Sequence, residues 1–185
     1  IHLAGSKAAR DSMENPRLYL ENNICAGLNL INASIMNDVS LFILSSSAAV
    51  YGFPNYIPID ENHPLRPSNY YGYTKLVLEQ NLKWFSKMKN LSYASLRYFN
   101  AAGYDQMRRV RTIESNPKNL IPIAMEVAIG IKKYLHIFGN NYNTEDGTGV
   151  RDYIRVSDLS SAHLDALDYI SSNKKNLELN LGVGK

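Results

Sequence analysis

Short apolar runs alternate along this chain with longer stretches in which apolar residues return every three or four positions, the pattern of an α/β domain on a largely parallel sheet. The runs Ile1–Ala4, Leu41–Ser45 ("LFILS"), Tyr93–Tyr98 ("YASLRY"), Leu135–Phe138 and Leu177–Leu181 are expected to be strands, being brief and apolar. A first helix is expected near Leu18–Met36, where Ile24, Leu28, Ile31 and Ile35 share a face at spacings of 4, 3 and 4. A second runs from about Tyr70 to Lys89 with two apolar stripes, Leu78/Leu82/Phe85 and Val77/Trp84/Met88. A helix apolar on two sides packs on two things, here the sheet and a partner subunit. A third helix carries Leu120, Ile123, Ala124, Val127, Ala128 and Ile131, with Pro122 tolerable in its first turn. A fourth is expected to start at Ser157 or Asp158, either a good N-cap, and to bury Leu159, Ala162, Ala166, Leu167 and Ile170.

The stretches Gly52–Pro67 and Gly103–Lys118 are long for plain connections, and long ordered loops tend to carry function. The opening "IHLAG" reads as the end of a buried strand, and the closing "LNLGVGK" stops on a strand and its loop, so a piece of a longer protein is expected.

Composition narrows the class. A hydrophobic content of 45% with 20% charged residues is globular rather than disordered, and a net charge of +3 is too small to argue for nucleic acid. The basic cluster Arg108-Arg109-Val110-Arg111 reads as a solvated loop that can reach an anionic ligand. One cysteine, Cys25, excludes an internal disulfide framework and fits a reducing, cytoplasmic setting. Its apolar helical neighbourhood suggests a packed small hydrophobe, not a nucleophile. The histidines at 2, 63, 136 and 163 lack metal-ligand spacing, so no metal is expected. No apolar run approaches the roughly 18 residues needed to span a bilayer, and no signal-peptide pattern is present. Asn32-Ala-Ser34 and Asn90-Leu-Ser92 match the glycosylation sequon and are taken as chance matches.

The chemistry concentrates in "PSNYYGYTKLVLEQ", Pro67–Gln80. On a helix only residues three or four apart share a face. Tyr70 then meets Thr74, Tyr73 meets Val77, and Tyr71 alone meets a lysine, Lys75. A phenol titrates near 10 and is a poor base at neutral pH, but a close ammonium favours the phenolate. Tyr71 is therefore the tyrosine suited to take a proton from a hydroxyl. By itself Tyr-x-x-x-Lys is a common accident of helices. Twenty-four residues before Tyr71, however, "LFILSSSAAVYG" ends a buried strand on three serines, and open parallel sheets bind ligands at the carboxyl ends of their strands. A serine there can hold a reacting oxygen, although serines at strand ends are also ordinary turn formers.

These residues resemble the extended short-chain dehydrogenase/reductase family, within it the UDP-glucose 4-epimerases. The resemblance covers nearly the whole chain: "IHLAGSKA", "ENNICAGLNLI", "LSSSAAVYG", "PSNYYGYTKLVLEQ", "LRYFNAAG", "NLIPI" and, most specifically, "FGNNYNTEDGTGVRDYIRVSDL". It implies a partial Rossmann-like, doubly wound parallel sheet with part of a smaller substrate-binding region. An NAD-binding portion would span residues 1–103, and a mixed nucleotide-sugar-binding portion with returning Rossmann elements 104–185. It implies an isomerase of carbohydrate metabolism, in which tightly held NAD takes hydride from the sugar C4 and returns it to the other face of a 4-keto intermediate. Homodimers are implied as well.

Carried over residue by residue, Tyr71 is the acid/base, Lys75 its electrostatic support and a ribose ligand, and Ser47, rather than Ser45 or Ser46, the third member. Leu3, Ala4, Gly5, Ser6 and Lys7 line the cofactor, with Gly5 allowing close backbone approach and Lys7 offering a cation to the pyrophosphate. Asn22 and Phe99 touch NAD. Asn100, Asn119 and Leu120 match nucleotide-sugar contacts, Phe138 lies by the uracil, and Arg151 pairs with the diphosphate. Arg151 can alternatively pair with Asp146 or Asp152, and Asn100 can cap a strand end. His136 falls at a variable position.

The family's glycine-rich turn and the acidic residue that grips the adenosine ribose are absent from this sequence, so it is expected to bind NAD weakly or not at all by itself and to be inactive. The closing "GVGK" is not a P-loop, because Leu179 stands where that motif needs glycine. A nucleotide-sugar 4,6-dehydratase needs an extra acid and base after the strand-end hydroxyl, where Ala48 and Ala49 cannot move protons. A uronate epimerase or decarboxylase, and a non-catalytic NAD-binding module, stay open.

Overall fold

Strand β1, Leu41–Ser47, sorts the core into two layers by simple alternation of its side chains. The computed structural model describes residues 1–105, 107–110 and 115–184. Phe42 and Leu44 point to one face, where they bury with Ile31, Leu78, Leu82, Leu91 and Tyr93. Ile43 points to the other, against Ala94, Leu96, Ala166 and Ile170. Both faces of the sheet are therefore covered by helices, as in doubly wound folds. Strands β1, β2 (Ser92–Tyr98) and, later in the chain, β5 (Leu177–Leu181) pair in parallel in the order β1-β2-β5. Leu41 lies opposite Ser92 and Ser47 opposite Tyr98, so the three serines end level with the tip of β2. Near the same edge β3 (Asn100–Ala102) pairs in parallel with β4 (Tyr153–Arg155).

The helices mostly follow the apolar periodicity, with informative departures. Ala9–Glu14 forms α1 and Pro16–Tyr19 forms α2, which runs into a π-helical turn at Leu20–Cys25 before α3, Ala26–Met36. The π turn shifts the buried stripe. Tyr19, Asn23, Gly27 and Ile31 are buried, whereas Ile24, Leu28 and Ile35 are only partly covered. Cys25, expected to be packed, is exposed. Helix α4 spans Tyr70–Met88, with Leu78 and Leu82 in the core and Trp84 62% exposed. Helix α5 covers Leu120–Ala128 and stops before Ile131, because the chain turns through Gly130 at φ +80°. Helix α6, Val156–Asn173, begins earlier than the Ser157 or Asp158 caps predicted. Strand β4 feeds it directly through Arg155, whose Nε donates to Asp158 at 2.9 Å from outside the first turn.

Of the five predicted strands, β1, β2 and β5 form at the expected places, β1 running on to Ser47. Ile1–Ala4 contributes a single parallel bridge, His2 to Leu44, placing it beside β1. Leu135–Phe138 is not a strand, since a strand needs a neighbour and no described residue pairs with it. The loop Gly52–Pro67 is ordered by inward polar contacts: His63, buried, accepts from Asn55 N at 2.8 Å, and Asn180 Nδ2 donates to Ile59 O at 3.1 Å. Within Gly103–Lys118, Arg109 pairs with Asp105 at 2.9 Å, while Arg111 lies outside the described residues.

One charged pair sits inside the sheet–helix layer. Arg97 on β2 is 1% exposed and Glu79 on α4 is 3% exposed. The guanidinium grips the carboxylate through Nη2 at 2.7 Å and Nε at 3.1 Å, and its Nη1 reaches Tyr51 Oη at 2.9 Å. Removing one partner leaves the other charge buried and uncompensated, so Arg97→Met is expected to lower unfolding free energy by about 3–5 kcal/mol in urea titrations.

Candidate functional site

The start of α4 is brought against the tip of β1 by two local devices. Asn69 caps the helix, its Oδ1 accepting from Gly72 N at 2.9 Å. Gly72 then allows a contact no larger residue permits, since a Cβ there would lie 2.3 Å from the Ala49 carbonyl. Between Ser47 and Tyr51 the chain makes a 3₁₀ turn, Ala48–Val50, with Ser47 Oγ accepting from Ala49 N at 3.2 Å. Ala48 and Ala49, the positions a dehydratase would need for acid and base, thus sit in this turn.

Each of the three serines meets α4. Ser45 offers its carbonyl to Lys75 Nζ at 2.7 Å, Ser46 Oγ donates to the Glu79 carboxylate, and Ser47 hydrogen-bonds the Tyr71 phenol. Tyr71, Lys75 and Glu79 occupy successive turns of one helix face. The ammonium lies 5.9 Å from the centre of the Tyr71 ring. The structure thus brings together Tyr71, Lys75 and Ser47.

Burial raises the Tyr71 phenol above its ordinary value and the hydrogen bond from Ser47 opposes it. Lys75 is held by the Ser45 carbonyl and is pushed down to about 8 by burial. Desolvation penalises both charged forms. A second phenol stands nearby. Tyr98, raised by burial and by Tyr71 and lowered by the Ser45 hydroxyl, is bonded to His163 Nε2, and His163 Nδ1 lies 2.6 Å from the Leu159 carbonyl.

The loop after Ala4 is fastened to α4. Asn23, buried within the π turn, accepts from Ser6 N at 2.8 Å and donates to Ser6 O and Thr74 Oγ1, both at 3.0 Å. Ser12 Oγ, also buried, accepts from Tyr71 N at 2.9 Å. Tyr19 stands edge-on to Tyr71 with ring centres 6.5 Å apart. Beyond it opens a cleft of about 330 Å³ whose walls include Ser6, Lys7, Asp11, Tyr19, Lys118 and Asn119. Two predicted cofactor residues and one predicted substrate residue therefore share a cavity.

Leu3, Ala4 and Gly5 are exposed beside this loop, and Asn22 Nδ2 donates to Ser6 Oγ at 3.3 Å. Gly5 sits at φ +145°, a conformation other residues rarely adopt, and a Cβ there would press on Asn23 at 2.9 Å. A bare, exposed backbone with a hydroxyl and a cation beside it fits a phosphate-bearing cofactor such as NAD. Phe99 lies beside Gly182 just past the ends of β2 and β5, 3.1 Å from where a Cβ would stand.

The remaining predicted ligands are dispersed. Asn100 spends its side-chain amide on the Asp152 carbonyl at 2.8 Å, which supports the strand-end role. Leu120 is exposed at the start of α5. Phe138, 82% exposed, and His136 line a separate cleft of about 400 Å³ with Ile123, Lys132 and Tyr134. Among the described residues Arg151 forms no ion pair; it donates to the Val150 carbonyl at 2.7 Å. Neither proposed partner holds it, because Asp146 accepts from Thr148 and Asp152 accepts from Val183 N and Gly184 N.

Sequence reasoning missed Glu79, Arg97, Asn23, Ser12 and the Tyr98–His163 pair. The first two were findable: continuing the four-residue count from Tyr71 through Lys75 lands on Glu79, and Arg97 is a cation inside an apolar strand. Asn23 and Ser12 gave no signal, since their partners lie 51 and 59 residues away.

A parallel sheet with a Tyr–Lys–Ser cluster at a strand tip describes a class of nucleotide-cofactor enzymes, and comparison with known proteins specifies it. Residues 1–182 match the NAD dependent epimerase/dehydratase family. The chain belongs to that family, and within it is UDP-glucose 4-epimerase-like. It is 41% identical to the UDP-glucose 4-epimerase of Halalkalibacterium halodurans over 185 residues, all of this chain and 55% of the relative. Its fold superposes with a TM-score of 0.95 on UDP-glucose 4-epimerase from Brucella ovis in complex with NAD, at 38% identity, covering 100% of this chain and 57% of that one. The enzyme from Bifidobacterium longum in complex with NAD+ and UDP gives 0.92 at 38% identity, covering 100% and 56%. The chain thus spans little more than half the length of the relatives it matches.

Burial of Lys75 has a pH signature. Its folded value, about 8, lies below its ordinary 10.5, so between those values the unfolded chain binds a proton the folded chain has released. Stability then rises with pH across that window, and below pH 8 the burial penalty is present in full. Urea titrations at pH 7.5 to 10 are expected to show the wild-type chain gaining on Lys75→Met as pH rises.

Proposed function

We propose that the protein carrying this chain is a UDP-glucose 4-epimerase, interconverting UDP-galactose and UDP-glucose. The carrying observation is the meeting of Tyr71, Ser47 and Lys75 at the tip of β1 in a chain 41% identical to such an enzyme. NAD, when bound, supplies the hydride acceptor and donor that take the sugar C4 alcohol to a ketone and back. Tyr71 Oη exchanges the proton of that alcohol, and Ser47 holds the reacting oxygen and supports the phenolate through its hydroxyl. Lys75, fixed by the Ser45 carbonyl, supplies the positive charge and a ribose contact. Leu3–Lys7, Asn22 and Phe99 hold NAD. Asn100, Asn119, Leu120, Phe138 and Arg151 hold the nucleotide sugar. Residues 1–103 form the main cofactor portion.

The same reading places the enzyme in the cytoplasm; no helix among the described residues is long and apolar enough to cross a membrane. It also assigns the exposed apolar edge of α3 and α4, with Leu30, Met36, Tyr73, Trp84 and Met88, to a homodimer interface.

With the complete polypeptide, Tyr71→Phe is expected to lower turnover of UDP-galactose by about 10²–10⁴-fold while the circular dichroism spectrum is kept; an unchanged rate removes Tyr71 from the mechanism. Sedimentation at micromolar concentration is expected to give a dimer and Trp84→Glu a monomer. A wild-type monomer counts against the interface.

A further inference from the structure

Helix α4 carries its chemistry on successive turns, and each turn is held by one residue of the "SSS" run. Tyr71 meets the Ser47 hydroxyl and Lys75 the Ser45 carbonyl. The third contact, Ser46 to Glu79, involves no group the reaction uses. Glu79 is clamped by Arg97, and Arg97 is held in turn by Tyr51, whose Oη donates to Asn180 Oδ1 on β5 at 2.7 Å. One buried carboxylate therefore joins α4 to β1, β2 and β5.

Stability does not account for this choice, because well-packed apolar residues commonly replace a buried ion pair without loss. A charged pair supplies direction instead. Apolar side chains tolerate a helix rotated or slid by a fraction of a turn, whereas a bidentate guanidinium–carboxylate contact does not. Glu79 lies two turns along the same face from Tyr71, so a rotation there swings the phenol away from Ser47.

We infer that Glu79, braced by Arg97 and Ser46, is a positioning residue that sets the rotation of α4 so that Tyr71 and Lys75 face the strand tip. The inference deepens the epimerase reading and rests on it for its kinetic consequence.

The test uses the complete polypeptide and three variants: Glu79→Leu/Arg97→Met, which removes both charges and refills the space, Ser46→Ala, which removes only the β1 contact, and Tyr71→Phe as the reference. The double variant is expected to melt close to wild type, with kcat lowered at least about tenfold and KM for UDP-galactose changed less than about twofold. Ser46→Ala is expected to give a smaller kcat loss, about threefold, again with KM held. Either variant, folded and turning over at the wild-type rate, overturns the brace; if the double variant fails to fold, Ser46→Ala decides alone. Amide hydrogen exchange at Thr74 and Lys75 separates this failure from failure of the epimerase reading. If wild-type protein proves inactive, the epimerase reading falls, and the brace stands only if exchange there quickens in Ser46→Ala while the rest of the sheet is unchanged.

Discussion

A guanidinium buried in the middle of a parallel sheet has to be matched, and how it is matched organises the molecule. Arg97 reaches out of β2 into the layer where α4 packs, and the carboxylate it finds belongs to that helix. Around this contact the polar groups fall in order: Ser46 from β1, Tyr51 from the turn after it and Asn180 from β5. Apolar packing of Phe42, Leu44, Leu78 and Leu82 provides the area, but such packing alone leaves a helix free to settle in several rotations. The ionic contact selects one. The cluster at the strand tip is a consequence of that selection, since Tyr71 and Lys75 stand two turns and one turn nearer the helix start than Glu79.

A second constraint ties the cofactor-side loop to the same helix. Asn23 sits in a π turn, a local widening that offsets the helix face by one residue. Without it, a regular helix would continue the stripe Ile24, Leu28 and Ile31; with it, an amide is buried where an aliphatic side chain was expected. That amide satisfies both backbone groups of Ser6 and the Thr74 hydroxyl at once. The loop carrying Gly5, Ser6 and Lys7 is thereby registered to the turn carrying Lys75.

Much of the fold was legible because it rests on periodicity. The strands β1, β2 and β5 and the helices α4 and α6 follow from apolar spacing alone, and the Tyr71–Lys75 pair from counting along one face. What could not be read depends on partners distant in sequence. Leu135–Phe138 has the composition of a strand but no described neighbour to pair with, and composition cannot supply one. Cys25 looked buried because its neighbours are apolar, yet the π turn rotates it outward. Burial at Tyr71 and Lys75 could not be read either: spacing reports proximity and says nothing of how much water both groups lose. The meeting of Tyr71, Lys75 and Ser47 was legible in the sequence, and their burial was not.

The Tyr98–His163 contact bears on how the phenols at the strand tip are engaged. A carbonyl can only accept, so the 2.6 Å approach to Leu159 puts a hydrogen on Nδ1, and in the tautomer with its hydrogen there Nε2 accepts. The hydrogen of Tyr98 is then already given away, and its oxygen receives from Ser45. Tyr71 differs: its oxygen receives from Ser47, and no described residue claims its hydrogen. Of the two phenols near this strand tip, Tyr98 is engaged by both Ser45 and His163, and Tyr71 by Ser47.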